Sequence, residues 1–333
     1  MFSRDRLRFP MAAMLSFGLA LTLSSCGGDE SSPTNPVPVP PPNGWYSQDS
    51  RTTLGLLSVR FVSPTTGVVV GVGGTIRRTT DGGINWLAPS GSTTPDRLNA
   101  VAFGDANTGV AVGLGGSSLR TTDGGATWAK PDSMVKTILN GATFTSPTSV
   151  TAVGASERIF QSNDGGNTWA LRFSGGSNRS LVSVSFGDAT HGTTVGFFGR
   201  IVHTADGGVT WQQQFVGTGE FIRSVWFSDA NTGTAVGDGG TILRTTDGGV
   251  NWTPQRSGVI AALTGVWFAD ADTGTVVGYA GTILKTVNGG LTWYQQHSGT
   301  VQNLYDVFFT DTNHGTVVGD EGTILRTLNG GEL

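Results

Sequence analysis

The chain has 333 residues, 37% of them hydrophobic and only 13% charged, so it can bury a large core, and its formal charge is -4. With Arg4, Arg6, Arg8 and Asp5 of the first 25 residues set aside, the 20 basic and 24 acidic residues become 17 and 23, a balance that argues against a nucleic-acid partner, which calls for a basic excess. The 52 glycines, with no collagen period, point to a fold rich in tight turns.

Residues 1–25 read as an address. Arg4, Arg6 and Arg8 precede the apolar run MAAMLSFGLALTL, which is too short to span a bilayer and has the length of a signal-peptide core. The run leads to Leu23-Ser24-Ser25-Cys26, which resembles the lipobox of bacterial lipoproteins. That resemblance implies cleavage before Cys26, lipidation of its sulfur and anchoring in the cell envelope. Gly27 follows, without the Asp that commonly retains lipoproteins at an inner membrane, so the outer membrane is the expected site where a cell has two. Cys26 is the one cysteine of the sequence, which excludes an intrachain disulfide and a cysteine-based metal site. Residues 26–43 carry six of the 13 prolines (Pro33, Pro36, Pro38, Pro40, Pro41 and Pro42). They predict a semi-extended tether of roughly 3 Å per residue.

From residue 44 to 333 the chain repeats itself. TTDGGINW, TTDGGATW, SNDGGNTW, TADGGVTW, TTDGGVNW and TVNGGLTW recur with their Asp or Asn at Asp81, Asp123, Asp164, Asp206, Asp247 and Asn288, and a seventh copy begins at Asn329, at spacings of 41 or 42 residues. A period near 40 signals a solenoid or a propeller. Within residues 263–296 the pieces are LTGVWF, TVVG, TILKT and TWYQQ, separated by Gly, Asp and Asn turns. Short β-branched and aromatic runs joined by tight turns are strands. Four such strands repeated seven times predict an all-β, seven-bladed β-propeller. The seventh copy, TLNGGEL, lacks its tryptophan, while Gly44-Trp45-Tyr46-Ser47-Gln48 reads like Thr292-Trp293-Tyr294-Gln295-Gln296. The N-terminal strand is therefore expected to complete the last blade and close the ring, with Trp45 joining Trp86, Trp128, Trp169, Trp211, Trp252 and Trp293.

The T-x-D-x-G-x-x-W motif resembles the Asp-box, or BNR repeat, of sialidases and related propellers. Its carboxylate can accept backbone N–H groups of its own turn, and Asn288 and Asn329 keep that acceptor while forgoing acid chemistry. The motif positions are therefore expected to be structural, with no metal and no cofactor. The longer consensus G-x-x-G-T-I-L-R-T-T-D-G-G-x-T-W is similar to the photosystem II assembly and stability factor family, over essentially all of residues 44–333. The resemblance implies a non-catalytic, monomeric propeller, lipid-anchored, that binds a protein or peptide partner and helps it assemble. The alternative is a sialidase-like propeller that binds or cleaves glycans. Such an enzyme needs a tyrosine nucleophile beside a glutamate and an arginine cluster, yet Tyr46 and Tyr294 fall on outer strands, and the histidines His191, His203, His297 and His314 show no ligand spacing.

Breaks in the repeat mark candidate binding residues. Three positions before each motif Asp or Asn stand Arg78, Arg120, Gln161, His203, Arg244, Lys285 and Arg326. The family resemblance implies a basic partner-binding patch at Arg78, Arg120, Arg244 and Arg326, with Arg77 beside it. A competing expectation pairs Arg120, His203, Arg244, Lys285 and Arg326 with Asp105, Asp188, Asp229, Asp270 and Asp311 of the same blades as ion pairs. Elsewhere, Phe197-Phe198 and Tyr279 occupy turns where Asp238-Gly239 stands in another blade, Tyr305 lies nearby, and Trp226, Trp267 and Phe308 enlarge three adjacent inner strands. Apolar residues on a tight turn suggest a contact surface, so Phe197, Phe198, Tyr279 and Tyr305 are the preferred partner-binding set.

Overall fold

Each repeat opens with an inner strand of the pattern L-x-x-V-x-F, with Ala142 at the Val position of blade three and Ile222 at the Leu position of blade five. In blade one this is Leu56–Phe61, followed by Gly67–Gly71 and Ile76–Thr79. The structure, a computed structural model, describes residues 44–91, 94–131, 135–214 and 218–332; the leader, Cys26 and the tether lie outside the described residues. Blade two has Leu98–Phe103, Gly109–Gly113 and Ser118–Thr121, and blade three Leu139–Phe144, Val150–Gly154, Arg158–Ser162 and Ala170–Ser174. Blade four comprises Leu181–Phe186, Gly192–Gly196, Arg200–Thr204 and Gln212–Gln214, and blade five Ile222–Phe227, Gly233–Gly237, Ile242–Thr245 and Thr253–Gln255. Leu263–Phe268, Thr273–Gly278, Ile283–Val287 and Tyr294–Gln296 form blade six. Blade seven takes Leu304–Phe309, Gly315–Gly319 and Ile324–Thr327 from the C-terminal region and Tyr46–Gln48 from the N-terminal end, with Tyr46 opposite Arg326 and Gln48 opposite Ile324. The inner strands of blades one and seven lie side by side. The ring is thus closed, and no inner strand is left with an open flank.

The second strands are buried almost throughout because a neighbouring blade covers each face, which is why they are built from Val, Ala, Thr and Gly alone. A glycine starts most of them, and the ring of the inner-strand Phe lies against it: a Cβ on Gly67 would come within 2.7 Å of Phe61, and one on Gly315 within 2.5 Å of Phe309. Held in this way, the Phe meets the motif Trp in a T-shaped pair, as in Phe61 and Trp86 (centroids 6.0 Å apart, 85° between planes) and Phe268 and Trp293 (6.0 Å, 90°), a favoured aromatic geometry.

Blades are also clasped by hydrogen bonds from outer strands. Gln296 accepts from the Trp45 indole at 2.9 Å and donates to Gly330 at 3.0 Å; Gln255 does the same with Trp293 and Gly289 at 3.4 and 3.0 Å; Gln48 accepts from Trp86 at 3.2 Å. These glutamines occupy one register position, opposite Ile283, Ile242 and Ile324. Blades one and two have Pro89 and Pro131 there instead. Proline cannot donate to a ladder, and in both blades the fourth strand shrinks to a single bridge, Arg78 to Leu87 and Arg120 to Ala129.

Candidate functional site

The two ends of the propeller differ in chemistry. One carries the Asp-box turns together with the turns between inner and second strands. In the first box the Asp81 carboxylate takes the Thr79 hydroxyl at 2.8 Å, the Asn85 amide N–H at 2.9 Å and the Asn85 side chain at 2.8 Å, while the Thr79 oxygen accepts Gly83 N–H at 2.9 Å. Asn288 keeps the backbone contact, accepting Thr292 N–H at 3.0 Å, and reverses the side-chain one, donating to the Thr292 hydroxyl at 2.8 Å. The Asp or Asn side chain and the Thr hydroxyl of these boxes are satisfied locally, which is what a turn staple requires.

These bonds move the carboxyl equilibria. Burial is the largest single influence on Asp164 and opposes ionisation, but bonds from Thr168, Ser162 and Asn167 together outweigh it and hold the group at about 2. Asp206, where the Thr210 bonds lead, is also held at about 2. A carboxyl whose pKa is depressed by folding stabilises the fold above the unfolded value near 4 and loses that effect as pH falls through the folded value. Melting temperature is therefore expected to drop between about pH 4 and pH 2. Asp206→Asn, copying the Asn288 box, should lessen that drop, whereas Asp206→Ala should lower the melting temperature at neutral pH as well. A flat profile for the unaltered protein over this range would refute the account.

The ion pairs expected within blades do not form. Asp105, Asp229, Asp270 and Asp311 accept N–H groups two and three residues ahead, Asn107 and Thr108 at 2.8 and 2.5 Å in the first case. Asp188 holds Thr190 and His191. Those donors are nearer than any cation on the third strand. The cations point instead to the next blade: Arg78 Nε donates to Gly124 O at 2.8 Å, Arg120 Nε to Gly165 O at 3.0 Å and Lys285 Nζ to Gly330 O at 2.9 Å, and Gln161 Nε2 donates to Gly207 O at 2.8 Å. Arg244 lies over Phe268 and Arg326 over Phe61, 4.9 and 5.3 Å from the ring centroids. Arg326 is buried, with 3% of its surface exposed, and bonds Thr316 at 2.8 Å.

The other end carries the turns between second and third strands and the connections between blades. In these turns the middle residue is left-handed, a conformation glycine supplies at Gly73, Gly115 and Gly239. Phe198 takes it with φ 58°, at a cost on the order of 1 kcal/mol, and two-thirds of its surface is in solvent. Arg179 lies over its ring at 5.4 Å. Phe197 stacks on Phe221 (4.0 Å, 11°), and Arg223 bridges Phe221 and Tyr279 at 4.4 and 5.4 Å while forming an ion pair with Asp238, one contact of which is 3.2 Å. Tyr279 meets Tyr305 edge-on at 6.3 Å, and Tyr305 donates to Asp320 at 2.9 Å. Burial first, then that bond, pushes the Tyr305 hydroxyl up to about 12. All four aromatic residues expected to bind a partner therefore fall on one continuous band. Phe221 and Arg223, which tie it together, escaped the sequence argument; the signal was present in the residues flanking Ile222 in the inner-strand pattern.

The band rims the mouth of the central channel, a cavity of about 230 Å³ lined by inner-strand residues of all seven blades. Arg60 pairs there with Asp306 at 2.8 Å, and Asp306 also accepts from Ser58 and from Val59 N–H, both at 3.0 Å. Deeper, Trp226, Trp267 and Phe308 adjoin one another at 6.0 and 6.1 Å and pack into the core of blades six and seven. Among the described residues no helix is long and apolar enough to cross a membrane, and no group of three or more His, Cys, Asp or Glu is placed to hold a metal ion.

The family model of the photosynthesis system II assembly factor YCF48 matches residues 38–133, 132–213 and 173–255. The chain belongs to this family. A structure described as YCF48 bound to a D1 peptide is 22% identical and superposes with a TM-score of 0.74, over 86% of this chain and 97% of that one. YCF48 from Cyanidioschyzon merolae is also 22% identical, with a TM-score of 0.72 over 85% and 98%. The GH74 xyloglucanase from Xanthomonas campestris is 15% identical with a TM-score of 0.68, over 87% of this chain and 54% of the enzyme. No curated protein matches in sequence. In this YCF48-family chain the arginines expected as a patch stand at the Asp-box end, and the aromatic band stands at the other.

Proposed function

We propose that the protein is a non-catalytic, lipid-anchored propeller of the cell envelope that binds a protein or peptide partner at the channel mouth and assists its assembly. The observation that carries this reading is the band from Phe198 to Tyr305, which places an exposed, strained aromatic turn beside the cations Arg179 and Arg223. Exposed apolar surface rimmed by polar groups is the usual form of a protein contact. The arginines at the Asp-box end have competing work, since Arg78 and Arg120 are spent on neighbouring blades. A glycan-cleaving role has less support, because it needs two carboxyls flanking the scissile bond or a reactive tyrosine. In the channel Asp306 is already engaged by Arg60, and Tyr305 is a neutral donor.

Crosslinking in the cell envelope tests the binding face. Phe197→Ser with Phe198→Ser is expected to leave the melting temperature nearly unchanged and to cut partner capture at least tenfold. Phe198→Gly should keep the fold, since glycine relieves the left-handed strain, and still weaken capture. If the Phe pair has no effect while Arg78→Ala and Arg244→Ala abolish capture by folded protein, the binding face is the arginine end.

The anchor is tested separately. Cys26→Ser is expected to yield uncleaved precursor or soluble protein; a normally processed mutant in the membrane fraction would remove the lipid from the proposal.

A further inference from the structure

Blades one and two lack a full outer strand, and the place left by the first of them has the features of a second binding site. In blades four to seven the third strand is covered by an outer strand whose Gln lies opposite its Ile, as Gln214 lies opposite Ile201 and Gln48 opposite Ile324. In blade one the ladder stops after Arg78 and Leu87 exchange their N–H and C=O at 2.8 and 2.9 Å. Pro89, lacking an N–H, cannot make the next pair with Ile76. The chain then leaves its own blade and runs parallel to blade two, Ser90 opposite Thr127 and Gly91 opposite Trp128. A cavity of about 440 Å³ opens between the abandoned edge at Thr75–Arg77 and the departing segment, with Trp128, Pro89 and Pro95 among its walls.

Arg77 gives the edge its chemistry. The other six blades hold a buried apolar side chain at this register, such as Leu119, Leu243 or Leu325. Here the guanidinium curls round the edge, donates to the Ile76 carbonyl at 2.9 Å and to Arg51 O at 3.1 Å, and has no ion pair among the described residues. It caps the acceptor that a fourth strand would use. Ile76, on the opposite face, packs with Leu98 and Trp128 of blade two.

We propose that the outer edge of blade one is a strand-addition site for an extended acidic segment of a protein partner. Main-chain bonds at Ile76 would hold the segment, as in other sheet-edge complexes. Alternation of side chains along a strand puts an apolar residue over Ile76 and Trp128 and a carboxylate against Arg77, drawing the guanidinium off the Ile76 carbonyl. The site lies on the rim between blades one and two and is independent of the channel mouth.

Hydrogen exchange of the Ile76 amide in the purified protein tests this, with two synthetic hexapeptides as probes, one alternating Val and Glu, the other Val and Lys. The Val–Glu peptide is expected to slow exchange at least tenfold; the Val–Lys peptide should not. Arg77→Glu should reverse that preference. Pro89→Gln, which restores the missing N–H, should slow exchange without peptide and block the Val–Glu effect. Phe197→Ser with Phe198→Ser should leave it intact, which separates this site from the channel mouth. Equal protection by both peptides, no protection by either, or protection that rises only with protein concentration, as edge-to-edge pairing of two copies would give, overturns the proposal.

Discussion

Deleting residues 44–48 is expected to lower the melting temperature by about 10 °C or more. The deletion removes the outer strand of blade seven, paired at Tyr46, Ser47 and Gln48, and the Trp45 indole, which is 7% exposed, stands edge-on to Phe309 at 5.8 Å and donates to Gln296. Loss of a core tryptophan alone costs about 3–5 kcal/mol. The unpaired edge and the lost clasp from Gln48 to Trp86 add to it, and a large domain loses roughly 2–4 °C per kcal/mol. Trp45→Ala should show the smaller share of the same loss. An unchanged melting temperature for the deletion would refute closure of the ring by the N-terminal strand.

Glu157→Ala is expected to be the most damaging single exchange of a charged residue, at roughly 3–5 kcal/mol, the cost of stranding one member of a buried ion pair. Glu157 is 2% exposed, and Arg200 of blade four, 8% exposed, donates to it at 3.0 Å. Glu157 also sits in the left-handed region with φ 52°, its N–H bonded to Arg179 O at 2.9 Å. That bond comes from Arg200 Nη2, and Arg200 Nε has no partner, so loss of the carboxylate leaves a nearly bare buried cation. Replacing both partners, Glu157→Leu with Arg200→Met, should recover much of the stability, because the charge is then gone rather than unpaired. Chemical denaturation measures both. A double variant no better than the single one would assign the effect to the strained turn instead.

The strand order, the seven repeats and the closing strand were legible in the sequence, because each rests on information a few residues long and repeated. The motif Asp finds its donors within four residues, at Asn85 for Asp81 and Thr168 for Asp164, so a local pattern suffices to predict a structural staple. Phe197 and Phe198 were legible as a break in that pattern, since the same turn has glycine, Ser156, Ala280 or Glu321 as its middle residue in the other blades and carries two aromatic side chains in this one.

What neighbours one another across blades could be decided only by the tertiary structure. The third-strand cations were expected to meet the aspartates of their own blades, but the aspartates are saturated by their own turns and the side chains of Arg78, Arg120 and Lys285 extend forward to glycine carbonyls 45 or 46 positions away. Sequence spacing tells which strand a residue is on. It does not tell which way a long flexible side chain leans or which donor reaches an acceptor first. For the same reason the stacking of Phe197 on Phe221, the Arg223 bridge to Tyr279 and the Glu157–Arg200 pair emerge only once the blades are set side by side. The sequence by itself determined a ring of seven sheets with stapled turns, because periodicity and turn chemistry are local. The packing of one blade on the next decided which charged and aromatic groups are consumed in holding the ring and which remain exposed at the channel mouth and the blade-one edge, because that depends on contacts between residues about 40 positions apart.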